Sequence, residues 1–352
     1  MATPTIPNGK DYFNVVNYSG TGSDNAVTGV GFGPDVTWLK RRDSGNADWG
    51  VFDTSRGVTK NLKFNKTDAE STEVNSLKTF GTDGFTVGSA SDYNASGGTF
   101  SSFNFLANGG TTASNTDGSI TSTVQANSDA GFSIITYTGT GSAGTVGHGL
   151  SSAPQWLILK STSVATGWYV YHKNLGGADY EIYLESNSAR YNSAAYSAWN
   201  NTAPTSSVIS LAPTGYGSNN ASVTYVIYAW HEVEGFSKFG SYSGNGSTNG
   251  PMIYTGFRPA WLLIKRIDSS TGGNWSMVND VTYPSNPIGS PLMTDYAGGE
   301  PDLSAITMDF LSNGFKIRNT LNSNNASGGS YIFMAFASHP FSGDGVSPAT
   351  AR

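Results

Sequence analysis

Pro154-Gln-Trp-Leu-Ile-Leu-Lys160 decides the fold class of this chain. Its four consecutive apolar residues neither alternate nor follow a 3.6-residue period, and the run is strand length, so it reads as a central strand covered on both faces. The same phrase occurs twice more, as Pro34-Asp-Val-Thr-Trp-Leu-Lys40 and Pro259-Ala-Trp-Leu-Leu-Ile-Lys265, with six residues from proline to lysine each time. A turn precedes every copy: Tyr18-Ser-Gly-Thr-Gly22, Tyr137-Thr-Gly-Thr-Gly141 and Tyr242-Ser-Gly-Asn-Gly246. A second tryptophan follows every copy, opening Trp49-Gly-Val-Phe-Asp53, Trp168-Tyr-Val-Tyr-His172 and Trp275-Ser-Met-Val-Asn279. A late marker, Asn94-Ala-Ser-Gly-Gly98, Asn220-Ala-Ser222 and Asn325-Ala-Ser-Gly-Gly329, announces a last strand at 100–105, 225–230 and 331–336. Ordered markers at matched spacing define an internal repeat.

Each unit is about 105–120 residues, the size of one β-sandwich, and its apolar runs are short, rich in β-branched and aromatic residues, and bounded by Gly, Asn, Ser or Pro. The alternating Phe315-Lys-Ile-Arg318 reads as a half-exposed strand, which complements the doubly covered one. The expected fold is therefore all-β, three tandem antiparallel β-sandwich domains of jelly-roll type. The boundaries expected are an N-terminal arm at 1–11, then repeats at 12–110, 111–235 and 236–352, the middle one opening with a polar linker whose alternating stretch 119–124 suits a first strand. Between the middle and last repeats, Trp230-His-Glu-Val-Glu-Gly-Phe236 leaves almost no spacer, so those two units should sit rigidly together. The segments 65–77 and 183–196 lack an apolar stripe and read as loop or a single helical turn.

Only 12% of the 352 residues are charged, while glycine numbers 44 and hydrophobic residues make up 37%. The core is affordable and the surface must be covered by Ser, Thr, Asn and Gly. The net charge of −6, with 19 scattered Lys and Arg, argues against nucleic acid and anionic lipid as partners. There is no cysteine, hence no disulfide, thiolate zinc site or thiol nucleophile. No apolar run approaches the ~20 residues of a membrane span, and the N-terminus has no export signal, so membrane insertion is not expected.

The motifs with chemical potential each have a simpler reading. Gly139-Thr-Gly-Ser-Ala-Gly144 fits the dinucleotide pattern, but no helix follows to receive a pyrophosphate, so it reads as a hairpin turn. No Gly-x-Ser-x-Gly elbow exists, and His148, His172, His231 and His339 fall at different places in their repeats. Glu232 and Glu234, read as alternating on one strand face beside His231, are candidates to pair with Glu181 or Glu185 as acid and base on a glycan; the other repeats lack them, which favours solvated charges at a junction. Asp43, Asp48 and Asp53 lie close together but form no calcium loop. Lys40-Arg41-Arg42 and Lys265-Arg266 read as charges where a strand meets solvent, and the Asn-x-Ser/Thr triplets as Asx turns. No catalytic, cofactor-binding or metal-ligating residue is assigned, and no cofactor is expected. The ligand surface is left unassigned, with Tyr191, Tyr196, Tyr283 and Tyr296, in segments that differ between repeats, as aromatic candidates against sugar.

Longer motifs carry a resemblance. Phe52-Asp-Thr-Ser-Arg-Gly57, Trp199-Asn-Asn-Thr-Ala-Pro204, Lys238-Phe-Gly-Ser-Tyr-Ser-Gly-Asn-Gly-Ser-Thr-Asn-Gly-Pro251, Thr255-Gly-Phe-Arg-Pro-Ala-Trp261 and Asn325-Ala-Ser-Gly-Gly-Ser-Tyr-Ile-Phe-Met-Ala-Phe336 resemble a family of uncharacterised tailed-phage virion proteins of the marine and cyanophage tail or tail-fibre type. The resemblance runs from about residue 12 to 341 and implies tandem lectin-like β-sandwiches on a phage particle, with no catalytic residues to carry over. The expected function is a virion structural protein, a tail fibre, tail appendage or head decoration that contacts host-surface glycan. Its expected partners are other virion proteins, copies of itself and host carbohydrate. A purely architectural cement or decoration protein is the alternative, and a glycan depolymerase the third reading. The segment 1–10, with two prolines, is the candidate docking arm.

Overall fold

The computed structural model describes residues 6–339 except 44, 194 and 301–306. The fold is nearly all β, and all the named strand pairs are antiparallel; the described helical structure is one four-residue helix, Ser91–Asn94, and a 3-10 turn, Gly9–Asp11. The described residues of segments 65–77 and 183–196 form no helix; short strands Ser71–Thr72 and Tyr191–Asn192 lie there instead. Among the described residues no helix is long and apolar enough to cross a membrane.

Three large sheets repeat one order. In the first, Phe13–Ser19 pairs with the last strand of its repeat, Thr99–Phe105, which pairs with Val36–Arg41, which pairs with Gly50–Asp53. The middle sheet has the corresponding strands Phe132–Thr138, Thr224–Trp230, Trp156–Ser161 and Tyr169–His172, extended to eight by Ala113–Asn115 and Ser122–Asn127 on one side and Tyr180–Tyr183 and Tyr191–Asn192 on the other. The third runs Ser237–Ser243, Ser330–Ala337, Pro259–Arg266, Ser276–Asn279 and Leu292–Met293. Every residue of Trp156–Ser161 is buried, as a doubly covered strand requires. The alternating stretch expected to open the middle unit does enter its sheet, from Ser122 onward.

Each large sheet turns one face to a smaller sheet: Asn25–Thr28, Gly84–Val87 and Leu77–Gly81 in the first repeat; Gly144–Gly147 with Val208–Leu211 in the middle; Met252–Tyr254, Gly314–Ile317 and Met308–Leu311 in the third. Three apolar clusters fill these spaces. The opposite faces of all three large sheets meet in one further cluster shared by the whole chain, and registers arrange it in layers. Phe13, Phe105 and Val36 lie abreast with Phe132, Trp230 and Trp156 in the middle sheet and Phe336 and Trp261 in the third. The next layer holds Val15, Phe103 and Trp38, then Ile134, Tyr228 and Ile158, then Phe239, Met334 and Leu263. Rings from different repeats are in direct contact: Trp38 with Trp230 at 6.2 Å, Phe64 with Trp168 at 4.9 Å, Trp156 with Trp275 at 6.0 Å and Phe13 with Phe336 at 4.8 Å. Such edge-to-face and offset contacts add to the area term that dominates burial of large aromatics.

Of the arm at 1–11, residues 1–5 lie outside the described residues, and Ile6 is buried in the shared core. Residues 340–352 of the last unit also lie outside them.

Candidate functional site

The recurring markers account for themselves structurally. Lys40, Lys160 and Lys265 do not meet solvent: all three are buried on the inner faces of their strands, one layer beyond the aromatic residues. Each Nζ donates to one carbonyl of its own repeat and one of a neighbour, in cyclic order. Lys40 reaches Ala47 and Ala297, Lys160 reaches Thr166 and Thr67, and Lys265 reaches Gly273 and Ser186. The second tryptophans close the same ring. Trp49 Nε1 donates to the Met293 carbonyl at 2.8 Å, Trp168 to Lys63 at 2.9 Å and Trp275 to Tyr183 at 2.9 Å. Burial pushes the lysines down to about 8, about 8 and about 7, with Asp48, Glu185 and Asp295 respectively opposing the shift. The reading of Lys40 and Lys265 as strand-end surface charges is thereby corrected; a strand-end position seen in one repeat is an interior position once three repeats share a core.

The turn markers form a second device. Tyr18, Tyr137 and Tyr242 stack on Phe100, Tyr225 and Tyr331 at 5.2, 5.1 and 4.8 Å. Their hydroxyls donate to the carbonyls of Tyr93, Ser218 and Asn324. The next residues, Asn94, Asn219 and Asn325, are buried, and their Oδ1 atoms accept from Thr21, Thr140 and Asn245 N–H at 2.8, 2.8 and 2.9 Å. Each Nδ2 donates to the carbonyl of Ser23, Ser142 or Ser247. The turn glycines Gly22, Gly141 and Gly246 sit at φ +74°, +87° and +67°, which explains the glycine without a nucleotide. The marker asparagine of the middle repeat is thus Asn219, not Asn220; both lie before Tyr225, and only Asn219 keeps the six-residue spacing of Asn94 to Phe100.

The carboxylates considered for acid-base work are each engaged elsewhere. The strand ends at Trp230, so Glu232 and Glu234 do not alternate on it. Glu232 accepts from Lys173 at 2.6 Å, Lys238 at 3.0 Å and the Phe239 N–H at 2.9 Å; burial opposes its ionisation, but these donors hold its pKa below the usual value. It pins the tight junction, while Glu234 is exposed. Glu181 is buried and accepts from Ala198 N–H and Tyr183 Oη; Glu185 accepts from Trp168 N–H at 2.9 Å. Burial raises the pKa of both. Asp43 pairs with Arg41, Asp48 with Lys63 and Asp53 with Arg56, and no group of three metal-ligating side chains occurs among the described residues. His148 and His172 are buried, with His172 pushed down to about 3 by burial, so it is neutral.

Sequence reasoning missed a cleft between the first and middle repeats. The inner face of the middle sheet, apolar at Phe132 and Ile134, continues along the same strand as Thr136 and Thr138. Thr123 lies opposite Thr136 and Thr224 opposite Thr138, and the hydroxyls of Thr162 and Thr224 bond at 2.5 Å. With Thr121 and Arg56 these threonines line an open cleft. The wall is fixed by Arg56, which donates to Asp53 at 2.5 Å, Glu70 at 2.9 Å and the carbonyls of Val51 and Lys60. Tyr228 Oη donates to Asp53 at 2.6 Å from the middle repeat. Burial opposes the charge on Arg56, yet Asp53, Tyr228 and Glu70 raise its pKa above the usual arginine value. The cation is therefore fully engaged by two carboxylates, which leave the pairing with one excess negative charge, and the cleft offers threonine hydroxyls, which both donate and accept, beside their methyl groups. Such hydroxyls can exchange hydrogen bonds with a polar ligand. The signal was the period-2 threonine pattern of 121–123 and 136–138, which reads in sequence as ordinary strand polarity.

Of the aromatic candidates, Tyr191, Tyr196 and Tyr296 are exposed at 57%, 43% and 52%, with Tyr196 edge-on to Tyr216 at 5.2 Å. Tyr283 is half-buried and donates to Glu300 at 2.9 Å. None of the four lines the threonine cleft.

The family model described as a domain of unknown function, DUF7483, matches residues 8–340. No curated protein and no solved structure matches the chain.

Proposed function

Because this chain belongs to the DUF7483 family over nearly its whole length, we propose for it a role built on the complete three-repeat unit: a structural protein of a tailed-phage virion that touches neutral host-surface glycan. The observation that carries the glycan part is the hydroxyl-lined cleft beside Arg56, whose guanidinium is already held by Asp53 and Glu70 and so is not free to pair with an anionic ligand. The resemblance of the long motifs to those of tailed-phage virion proteins is what supports a location on the particle, as tail fibre, tail appendage or head decoration. In this reading each repeat is a lectin-like sandwich of one large and one small sheet, three in tandem fused through their large sheets. Neighbours on the particle are other virion proteins and copies of the chain, and many weak glycan contacts add up by copy number. The reading includes no catalytic step, in keeping with carboxylates that serve as structural acceptors.

The test is titration calorimetry of the soluble protein against neutral oligosaccharides from the host surface, with Thr136→Val and Thr138→Val as variants. Weak binding that both substitutions abolish, with unchanged thermal melting, supports the proposal; no binding to any neutral glycan overturns it in favour of an architectural cement protein. Release of reducing ends from host polysaccharide would favour the depolymerase instead. The exposed Met252–Tyr254 edge is what the architectural reading has in its favour.

A further inference from the structure

The three small sheets have corresponding edge strands, and they are not treated alike. Val27, Val146 and Ile253 occupy the same register, opposite Phe85, Ile209 and Phe315. In the middle repeat the outer side of that strand is closed by the chain's own linker. Ile120 bridges Val146 in the parallel sense, and its N–H donates to the Thr145 carbonyl at 2.9 Å. Ser119 and Thr145 exchange backbone-to-hydroxyl bonds at 2.9 Å each, and Ser122 Oγ donates to the Gly147 carbonyl at 2.9 Å. The Ile120 side chain is buried in the same cluster as Val146. The added element is thus a short extended segment with one aliphatic residue between small polar ones.

Among the described residues the third repeat has no such segment, and the junction from Trp230 to Ser237 is too short to supply one. Among the described residues no backbone hydrogen bond reaches the outer side of Met252–Tyr254. Yet this edge carries Met252 at 42% exposure and Tyr254 at 67%, the most exposed large apolar side chain among the described residues. The corresponding edge of the first repeat, Asn25–Thr28, exposes only Ala26 and Thr28, with Asn25 tied to Ser19 and Asn94. Unpaired strand edges template further pairing unless charge, proline or cover prevents it, and Met252-Ile-Tyr254 has neither charge nor proline.

We propose that the Met252–Tyr254 edge receives an extended strand of a different protein, laid parallel as Ile120 lies on Val146, with an aliphatic side chain flanked by small polar residues. The proposal does not rest on the glycan cleft, which lies in other repeats. It is tested by hydrogen exchange of the full chain, with a synthetic peptide of the sequence of residues 115–122 as probe. The expected result is several-fold slower exchange confined to residues 251–256. A peptide with Asp in place of its isoleucine should give no slowing, and Met252→Lys with Tyr254→Lys should remove it while exchange elsewhere is unchanged. Absence of slowing at saturating peptide overturns the proposal. So does protection that is already present without peptide, whether it is lost on dilution together with a dimer seen in sedimentation, which assigns the edge to a second copy, or persists in the monomer.

Discussion

The Nζ of Lys160, in the middle repeat, donates to the carbonyl oxygen of Thr67, in the first, across 2.8 Å. A second bond, to Thr166 at 2.5 Å, satisfies the same group within its own repeat, and the side chain passes over the Trp168 ring at 5.8 Å. Thr67 keeps a second donor, the Thr166 N–H, so removing the lysine orphans chiefly the Thr166 carbonyl. Lys160→Met should therefore lower stability by about 1–3 kcal/mol. Urea titration measures it, and an unchanged midpoint would show that the lysine does not clasp the repeats together.

Stability should rise with pH above neutrality. Lys265 sits at about 7, and Lys40 and Lys160 at about 8, against an ordinary 10.5. Between those folded values and the unfolded one the unfolded chain binds more protons, so unfolding free energy climbs with pH and is lost as pH falls through the folded values. The slope is at most about 1.4 kcal/mol per pH unit for each lysine. The carboxylates facing them, Asp48 and Asp92 at Lys40, Glu185 and Asp68 at Lys160, Asp295 and Glu185 at Lys265, moderate the shifts. Buried Tyr18, Tyr137, Tyr228 and Tyr242 act oppositely, since burial raises their pKa and their contribution disappears above about 10. Melting temperature should peak between these limits, and Lys265→Met should flatten the rise; a profile flat from neutrality upward in the wild-type chain would refute this.

The strands were legible because Pro154 to Lys160 and its two relatives are continuous apolar runs, and continuity on both faces has one physical explanation. What those faces meet was not legible. Periodicity separates inside from outside, yet Trp38, Trp156 and Trp261 carry no mark that their neighbours belong to other repeats. Three closed two-sheet sandwiches would leave one face of each large sheet to solvent and make these strands alternate, so their continuity marked a further covering layer without naming what supplies it. The lysines held a clue: a cation recurring at one register of a buried strand needs interior acceptors, which isolated strand ends do not. The cleft was invisible for a related reason, since Thr136 and Arg56 are brought together only by the shared core.

Six of the eight tryptophans form two sets with different expected responses. Trp49, Trp168 and Trp275 each donate to a carbonyl of a neighbouring repeat, whereas the indole N–H groups of Trp38, Trp156 and Trp261 are buried without a partner. Replacement by phenylalanine removes similar volume in both sets, so the difference isolates the hydrogen bond. Trp168→Phe should cost about 1 kcal/mol more than Trp156→Phe, because only the former loses a made bond and the latter sheds an unsatisfied donor. Denaturant titration of the pair decides it, and equal losses would mean that the cross-repeat bonds contribute nothing beyond packing.

Asn219 and Asn220 are adjacent; the Asn-Ala-Ser triplet points to Asn220, while the six-residue spacing to the last strand points to Asn219. Structure assigns them unequal work. Asn219 is buried, accepts from Thr140 N–H at 2.8 Å and donates to Thr140 Oγ1 and the Ser142 carbonyl, holding the turn that the tyrosine stack supports. Asn220 Oδ1 accepts only from the Gly215 N–H, at 2.9 Å, in an exposed loop. Asn219→Ala leaves a buried turn without its acceptor and donor, a loss of about 2–3 kcal/mol. Asn220→Ala should stay within about 0.5–1 kcal/mol of the parent, since water replaces the lost partner. Thermal denaturation of the two variants measures the ratio, and a larger loss at Asn220 would place the repeat boundary one residue later and break the match with Asn94 and Asn325.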